Sequence, residues 1–251
     1  MFRWLNNREN AKYIFSLRVL YGVAVGAVMW AFYGLCRYFD FGWSCFALIG
    51  AAVPVVMSGG VYLSGFLNTS EVLAQRLDGK GKNPRNAGAE TDRAGTEAGA
   101  AGAHTLIAAM TFYLLYAGGL SAVRKDRQIA LLAAGYMISR TLYGMAFVWF
   151  AEAGKDREKG KRGDGSLSPA VRKTLRMILS VILALCFCTC VVIEPIMGML
   201  EALLSMWVWT YYYYMSKKVF GGVTEESAGY FLTLCELALS LFVGMFGRAL
   251  L

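Results

Sequence analysis

Apolar residues in this chain run on for about twenty positions at a time, the length needed to cross a bilayer core. Few folds accommodate that. The runs fall at 13–35, 43–65, 104–122, 129–150, 177–197, 199–215 and 229–250. Backbone polar groups in lipid must bond within their own segment, so each run predicts a helix. The expectation is an all-α, polytopic integral membrane bundle of about seven transmembrane helices, a single domain over residues 1–251. At 57% apolar and 17% charged, the chain lies outside the range of ordinary soluble domains. Glu194, Pro195 and Glu201 interrupt the run between the fifth and sixth spans, which predicts either a tight hairpin or one broken helix. The first span follows a polar Met1–Lys12 segment and exceeds a signal-peptide core, so it is expected to remain in the mature protein.

A net charge of +8 does not call for nucleic acid. With the N-terminus inside and seven alternating spans, 18 of the 25 cations face the cytoplasm, as the positive-inside rule asks. A plasma-membrane protein with its large loops in the cytoplasm is the expected placement. The cluster Arg124-Lys125-Asp126-Arg127 runs against it. Cysteines 36, 45, 186, 188, 190 and 235 lie in or beside apolar runs, with neither zinc-ligand spacing nor a disulfide framework. They read as small apolar residues in membrane helices.

Polar stretches at about 66–103, 151–175 and 216–228 are expected as cytoplasmic loops, the first flexible with at most fragments of helix. Two carry chemistry. Just before the first, Gly59-Gly60 would allow close packing or backbone approach to a ligand. Ser64, Asn68 and Glu71 then follow at helical spacing, one strong and two weak oxygen ligands on one face. The plainer reading is a helix end leaving the membrane. In the last, Gly221-Gly222 forms a turn, Thr224 an N-cap, and Glu225 and Glu226 the first turn of the final span. Glu236 lies deeper in that span, on the face of those acids. Arg140 sits inside the fourth span and needs a partner, either an acid such as Glu236 or a phosphate. His104 and the run Tyr211–Tyr214 read as interfacial residues.

Taken in order, these blocks resemble the adenosylcobinamide-GDP ribazoletransferase (cobalamin synthase) family. The family's pattern GG-x-H-[LM]-D-G-[FL]-x-D-[TS]-x-D stands here as Gly59-Gly60-Val61-Tyr62-Leu63-Ser64-Gly65-Phe66-Leu67-Asn68-Thr69-Ser70-Glu71. The stretch from Ala101 to Leu115, Ser139-Arg140 with its following span, and Phe220–Gly229 through Glu236 resemble three further blocks. The resemblance implies a Mg²⁺-dependent transfer. A hydroxyl of α-ribazole, or of its 5′-phosphate, attacks the phosphate on cobinamide in adenosylcobinamide-GDP, and GMP leaves. It implies metal ligation at Ser64, Asn68, Glu71 and Glu226, all positions where the family has Asp, with Tyr62 in place of a His. Arg140 and Glu236 would act in catalysis, and Gly59, Gly60, Tyr62, Gly221, Gly222 and Thr224 would bind substrate. The family carries an acid before the third span; here that region is the Gly/Ala-rich stretch 94–103, with Asp92 or Glu97 nearby. A homo-oligomer or a membrane complex of pathway enzymes is compatible with such a bundle.

Losing two carboxylates removes two strong Mg²⁺ ligands, so turnover below that of an intact family member is expected. One reading is a working transferase that uses Glu71, Glu226 and Glu236. The alternative is a catalytically impaired paralogue that binds corrinoid or nucleotide, or scaffolds the pathway. A transporter is disfavoured, because the polar groups gather on one membrane side rather than at the midplane.

Overall fold

The computed structural model describes residues 10–77, 98–150 and 169–250, with side chains described for 20–74, 105–150 and 172–247. Among the described residues the regular structure is eight helices. These are α1 (Asn10–Tyr38), α2 (Trp43–Met57), α3 (Val61–Leu77), α4 (Ala98–Ser121), α5 (Asp126–Trp149), α6 (Pro169–Ile193), α7 (Pro195–Val219) and α8 (Glu225–Leu250). The central parts of the first two predicted loops, at 78–97 and 151–168, lie outside the described residues, as do Asp92 and Glu97. His104 belongs to α4 by its backbone, and its side chain is outside the described set.

An all-helical membrane bundle is what the chain forms. Four helical stretches are long and apolar enough to cross a bilayer: Leu20–Tyr38, Asp126–Trp149, Arg172–Ile193 and Glu225–Gly247. The bent pair α2 and α3 makes a fifth if counted as one span. The expected seven are not reached on length and composition, for two reasons. The apolar part of α4, Thr105–Ser121, is short. Helix α7 carries Glu201, two Trp, four Tyr and Lys217-Lys218, which lower its hydropathy.

The expected span at 43–65 is two helices. Their axes meet at 93° across Ser58–Gly60. Gly59 and Gly60 have φ of +61° and +75°, a region costly for side chains with a Cβ. Their N–H groups return to the carbonyls of Val56 (3.0 Å) and Val55 (2.9 Å), closing the end of α2. A Cβ at either position would meet nothing within 4 Å. The glycine pair therefore makes the bend and not the close packing expected of it. Beyond the bend, residues 61–77 are helical, where a flexible loop was expected from 66 onward. Residues 169–175 and 216–219 are likewise helical.

Close packing falls to other glycines. A Cβ on Gly65 would lie 2.8 Å from the Glu226 carbonyl and 3.3 Å from the Gly229 Cα. One on Gly229 would lie 3.1 Å from the Tyr62 carbonyl. Here α3 and α8 cross backbone to backbone, as small residues permit between membrane helices. Thr233 Oγ1 donates to the Tyr62 carbonyl (3.3 Å), and Phe66 stacks on Tyr230 at 5.4 Å.

The sequence left open whether residues 194–201 form a hairpin or a broken helix. It is a hairpin: α6 packs on α7, and Gly198 lies against the Cys190 carbonyl. Glu194 caps the turn with Pro195 in the first helical turn, where a missing N–H costs nothing. Cys186 and Cys190 face inward and Cys188 outward, and all six cysteines are free. Of the tyrosine run, Tyr211 and Tyr214 are exposed, whereas Tyr212 is buried and shares a 3.2 Å hydrogen bond with Ser227.

Helix α5 is the hub, with 83% of its span buried. Its side chains belong to two apolar cores. One joins it to α6, α7 and α8 through residues such as Leu142, Leu179, Tyr212 and Phe231. The other joins it to α1, α2 and α4 through Val25, Phe46, Leu120 and Ile129.

If the α3–α8 crossing depends on the missing Cβ, Gly65→Val should destabilise the protein by about 1–3 kcal/mol through overpacking. The thermal midpoint in detergent is the measurement. An unchanged midpoint would show that the helices part at no cost.

Candidate functional site

The crossing at Gly65 and Gly229 brings the two sequence motifs together. The helices run antiparallel there, Tyr62 against Thr233 and Gly65 against Gly229 and Glu226. That register carries Glu71 toward the start of α8, where Thr224, Glu225 and Glu226 are exposed. The start of α8 is built as the sequence suggests. Thr224 Oγ1 accepts from the Ser227 N–H (3.1 Å), and Ser227 Oγ accepts from the Thr224 N–H (3.0 Å), a reciprocal cap. Gly221, at φ +70°, makes the turn before it.

The expected triad is divided. Ser64, Asn68 and Glu71 all stand on α3, but Ser64 and Asn68 are exposed and Glu71 is half-buried. Ser64 Oγ donates to the carbonyl of Val61 (2.8 Å), which engages the hydroxyl within its own helix. Glu71 lines a cavity of about 280 Å³ between α3 and α4, together with Phe66, Ser70, Thr111 and Phe112. Thr69 turns inward, and its hydroxyl is buried with no hydrogen-bond partner. The sequence did not single it out.

Arg140 and Glu236 form the second part of the site, and the structure pairs them as anticipated. Arg140 Nη1 donates to Glu236 Oε1 and, at 3.4 Å, to the Tyr136 carbonyl. They are 1% and 7% exposed, whereas Glu226 on the same helix is exposed. The pair therefore lies beneath the polar rim rather than in it. Tyr116 and Tyr136 share a buried hydrogen bond through their hydroxyls beside it. A void of about 10 Å³ touches Glu236, Ser58, Tyr62, Tyr116 and Thr233, so the bend at Gly59-Gly60 abuts the ion pair. Sequence reasoning missed Tyr116 and Tyr136. Tyr136 stands four residues before Arg140, and that spacing was the available signal.

Among the described residues no three His, Cys, Asp or Glu side chains converge as a metal site. An all-protein metal shell is not built there. Mg²⁺ is commonly held by one or two carboxylates, with phosphate and water oxygens supplying the rest. Glu71 and Glu226 stand on two helices that cross at Gly65, with Glu226 opposite Gly65 and Glu71 six residues further along α3.

Removing one member of a buried pair leaves the other charge uncompensated. Arg140→Met should therefore cost about 3–5 kcal/mol, whereas Arg140→Met/Glu236→Leu should cost far less. Denaturation in detergent checks this. Equal losses in the single and double variants would show that the two groups are not coupled.

Comparison with known proteins identifies the family of the chain. The model of the cobalamin-5-phosphate synthase family matches residues 4–244. The chain is 24% identical to the adenosylcobinamide-GDP ribazoletransferase of Lachnoclostridium phytofermentans over 242 residues, covering 94% of this chain and 84% of that protein. No solved structure matches. With a family match that spans nearly its whole length, this chain belongs to the cobalamin-5-phosphate synthase family.

Proposed function

We propose that this protein is a membrane transferase that joins adenosylcobinamide-GDP to α-ribazole, or to its 5′-phosphate, with release of GMP. The family match supports this reading, and the observation that carries it is the α3–α8 crossing at Gly65, which sets Glu226 against the motif Gly59–Glu71. In the proposed step an acceptor hydroxyl oxygen bonds to the phosphorus that carries cobinamide. The bond from that phosphorus to the bridging oxygen breaks, GMP departs with it, and the hydroxyl proton passes to the aqueous rim.

Mg²⁺, held by Glu71 and Glu226, would supply neutralisation of the pyrophosphate charge. The residues of the chain do the rest. The start of α8 presents backbone N–H groups and a positive dipole end toward an anion. Gly221 and Gly222 let the chain turn there, and Tyr62 stands at the bend between the rim and the ion pair. Arg140, buried with Glu236 beneath the rim, is the cation we assign to charge that develops on phosphate. We place the rim on the cytoplasmic side, because the loops and adjoining helix ends on that side, over 76–93, 155–176 and 217–218, carry 15 of the chain's 25 cations.

Two predictions test this. Purified protein in liposomes, given adenosylcobinamide-GDP, α-ribazole and Mg²⁺, should release GMP. Glu226→Gln should lower kcat/KM by about a hundredfold or more, a typical cost of removing a group that contacts the reacting charge. Ser64→Ala should stay within about twofold, because its hydroxyl is engaged by Val61. Absence of GMP release at any Mg²⁺ concentration would sink the transfer reading.

The second test is growth. The native sequence should rescue a strain that lacks cobalamin synthase. Ser64→Asp/Asn68→Asp/Glu71→Asp should rescue it at least as well. Rescue by the triple variant alone would instead identify a catalytically impaired paralogue.

A further inference from the structure

Arg140 is placed to act on phosphate, yet it is almost wholly buried and one face of it is idle. Its Nη1 serves Glu236 and the Tyr136 carbonyl, whereas Nε and Nη2 are buried and have no hydrogen-bond partner. The Tyr21 hydroxyl on α1 is also buried without a partner. The two belong together: the Arg140 guanidinium carbon lies 5.3 Å from the Tyr21 ring centroid. The two guanidinium nitrogens can only donate, and the Tyr21 hydroxyl can donate as well as accept. A cluster of buried donors that lacks an acceptor is matched by an anion, and a guanidinium edge is matched by phosphate above all.

The element that covers this edge is α1. Its backbone at Gly22 lies on Arg140 and Tyr136, where a Cβ would meet the Tyr136 carbonyl at 3.0 Å and Arg140 Cδ at 3.1 Å. Gly26 rests on Ala133 in the same way. The other end of α1 is tied by directional bonds. Tyr33 Oη donates to the Arg124 carbonyl (3.0 Å), and Arg37 pairs with Asp126 at 2.7 Å. Near Arg140, α1 meets α5 through glycine surface, the Tyr21 ring and the buried Val25, which shares a core with Leu132 and Tyr136.

We propose that Arg140 Nε and Nη2, with Tyr21 Oη, form a phosphate-binding subsite that α1 covers in this conformation and uncovers for a phosphate-bearing ligand. The inference rests on the transferase reading and adds two things to it, a ligand contact on α1 and a route by which a buried arginine meets its substrate. Tyr21 holds one phosphate oxygen beside Arg140. The site is completed only when the start of α1 moves off α5.

The test uses the full-length protein in liposomes. In Gly26→Cys/Ala133→Cys the new side chains start from Cβ positions 3.2 Å apart, close enough for a disulfide to clamp α1 to α5. Oxidation should lower GMP release about tenfold or more, and dithiothreitol should restore it, with the wild-type protein unaffected by either treatment. Tyr21→Phe, which keeps the ring, should raise KM for adenosylcobinamide-GDP about fivefold to tenfold and leave kcat within about twofold, the loss of one hydrogen bond to a charged group. Full turnover by the clamped protein, or an unchanged KM in Tyr21→Phe, would overturn the proposal. Should the wild-type protein release no GMP, the transfer reading fails by itself. Equilibrium binding of radiolabelled GDP to oxidised and reduced double-cysteine protein then decides the subsite. Weaker binding when oxidised supports it, and equal binding overturns it.

Discussion

A guanidinium cannot stand in the middle of a membrane bundle without a counter-charge, and the pairing of Arg140 with Glu236 settles how the helices of this protein are arranged. Arg140 lies in α5, the most enclosed of the spans, and Glu236 in α8. Joining them fixes α5 to α8 at one depth and one rotation. Around that point the two apolar cores meet, since α5 contributes side chains to both. The Tyr116–Tyr136 pair and the small void at Ser58 and Tyr62 lie against the same ion pair. The bend between α2 and α3 is therefore referenced to a charge on α8, the helix on which α3 packs. Such a pair is weak evidence for stability, because its desolvation is costly, and stronger evidence for register.

The organisation of the chain was largely legible in its residues, and for definite reasons. Hydrophobic run length gave the helices, because lipid offers the backbone no other hydrogen-bonded option. The need of a buried arginine for a counter-charge named Glu236 in advance, and the cap at Thr224 followed from residue chemistry alone. The failures were of another kind. A run of apolar residues across Ser58-Gly59-Gly60 looks continuous, since run length is blind to direction and a right-angled turn keeps hydropathy intact. Polar, glycine-containing sequence after residue 66 looked like loop. It is helical through Leu77 because its inward stripe, Tyr62, Gly65, Phe66 and Thr69, packs on α8. Tertiary contact decided what local composition could not.

The site divides along the same line. Which residues are candidates for it came from motif order. Which of them face outward, which are engaged within their own helix, and which lie beneath the rim did not, because these are properties of the crossing and not of the segment. Ser64 and Glu71 share a helical face in sequence, yet one hydroxyl is turned to its own helix and the other side chain lines a cavity against α4. Glu226 and Glu236 likewise sit ten residues apart on one helix, one exposed and one enclosed.

The far end of the bundle has its own consequence for how the protein is made. Its ion pairs, Arg37 with Asp126 and Arg127 with Glu194, join residues 89 and 67 positions apart. A chain entering the membrane from its N-terminus cannot form the second until the turn before α7 has been synthesised. Until then α5 stands with Arg127 unpaired at one end and Arg140 still awaiting α8 at its middle. The hub of the fold is thus inserted well before either of its arginines is matched. Helices α6 to α8 complete it in order of translation, and a ribosome that stops before residue 236 leaves a membrane protein with an unmatched arginine at its centre.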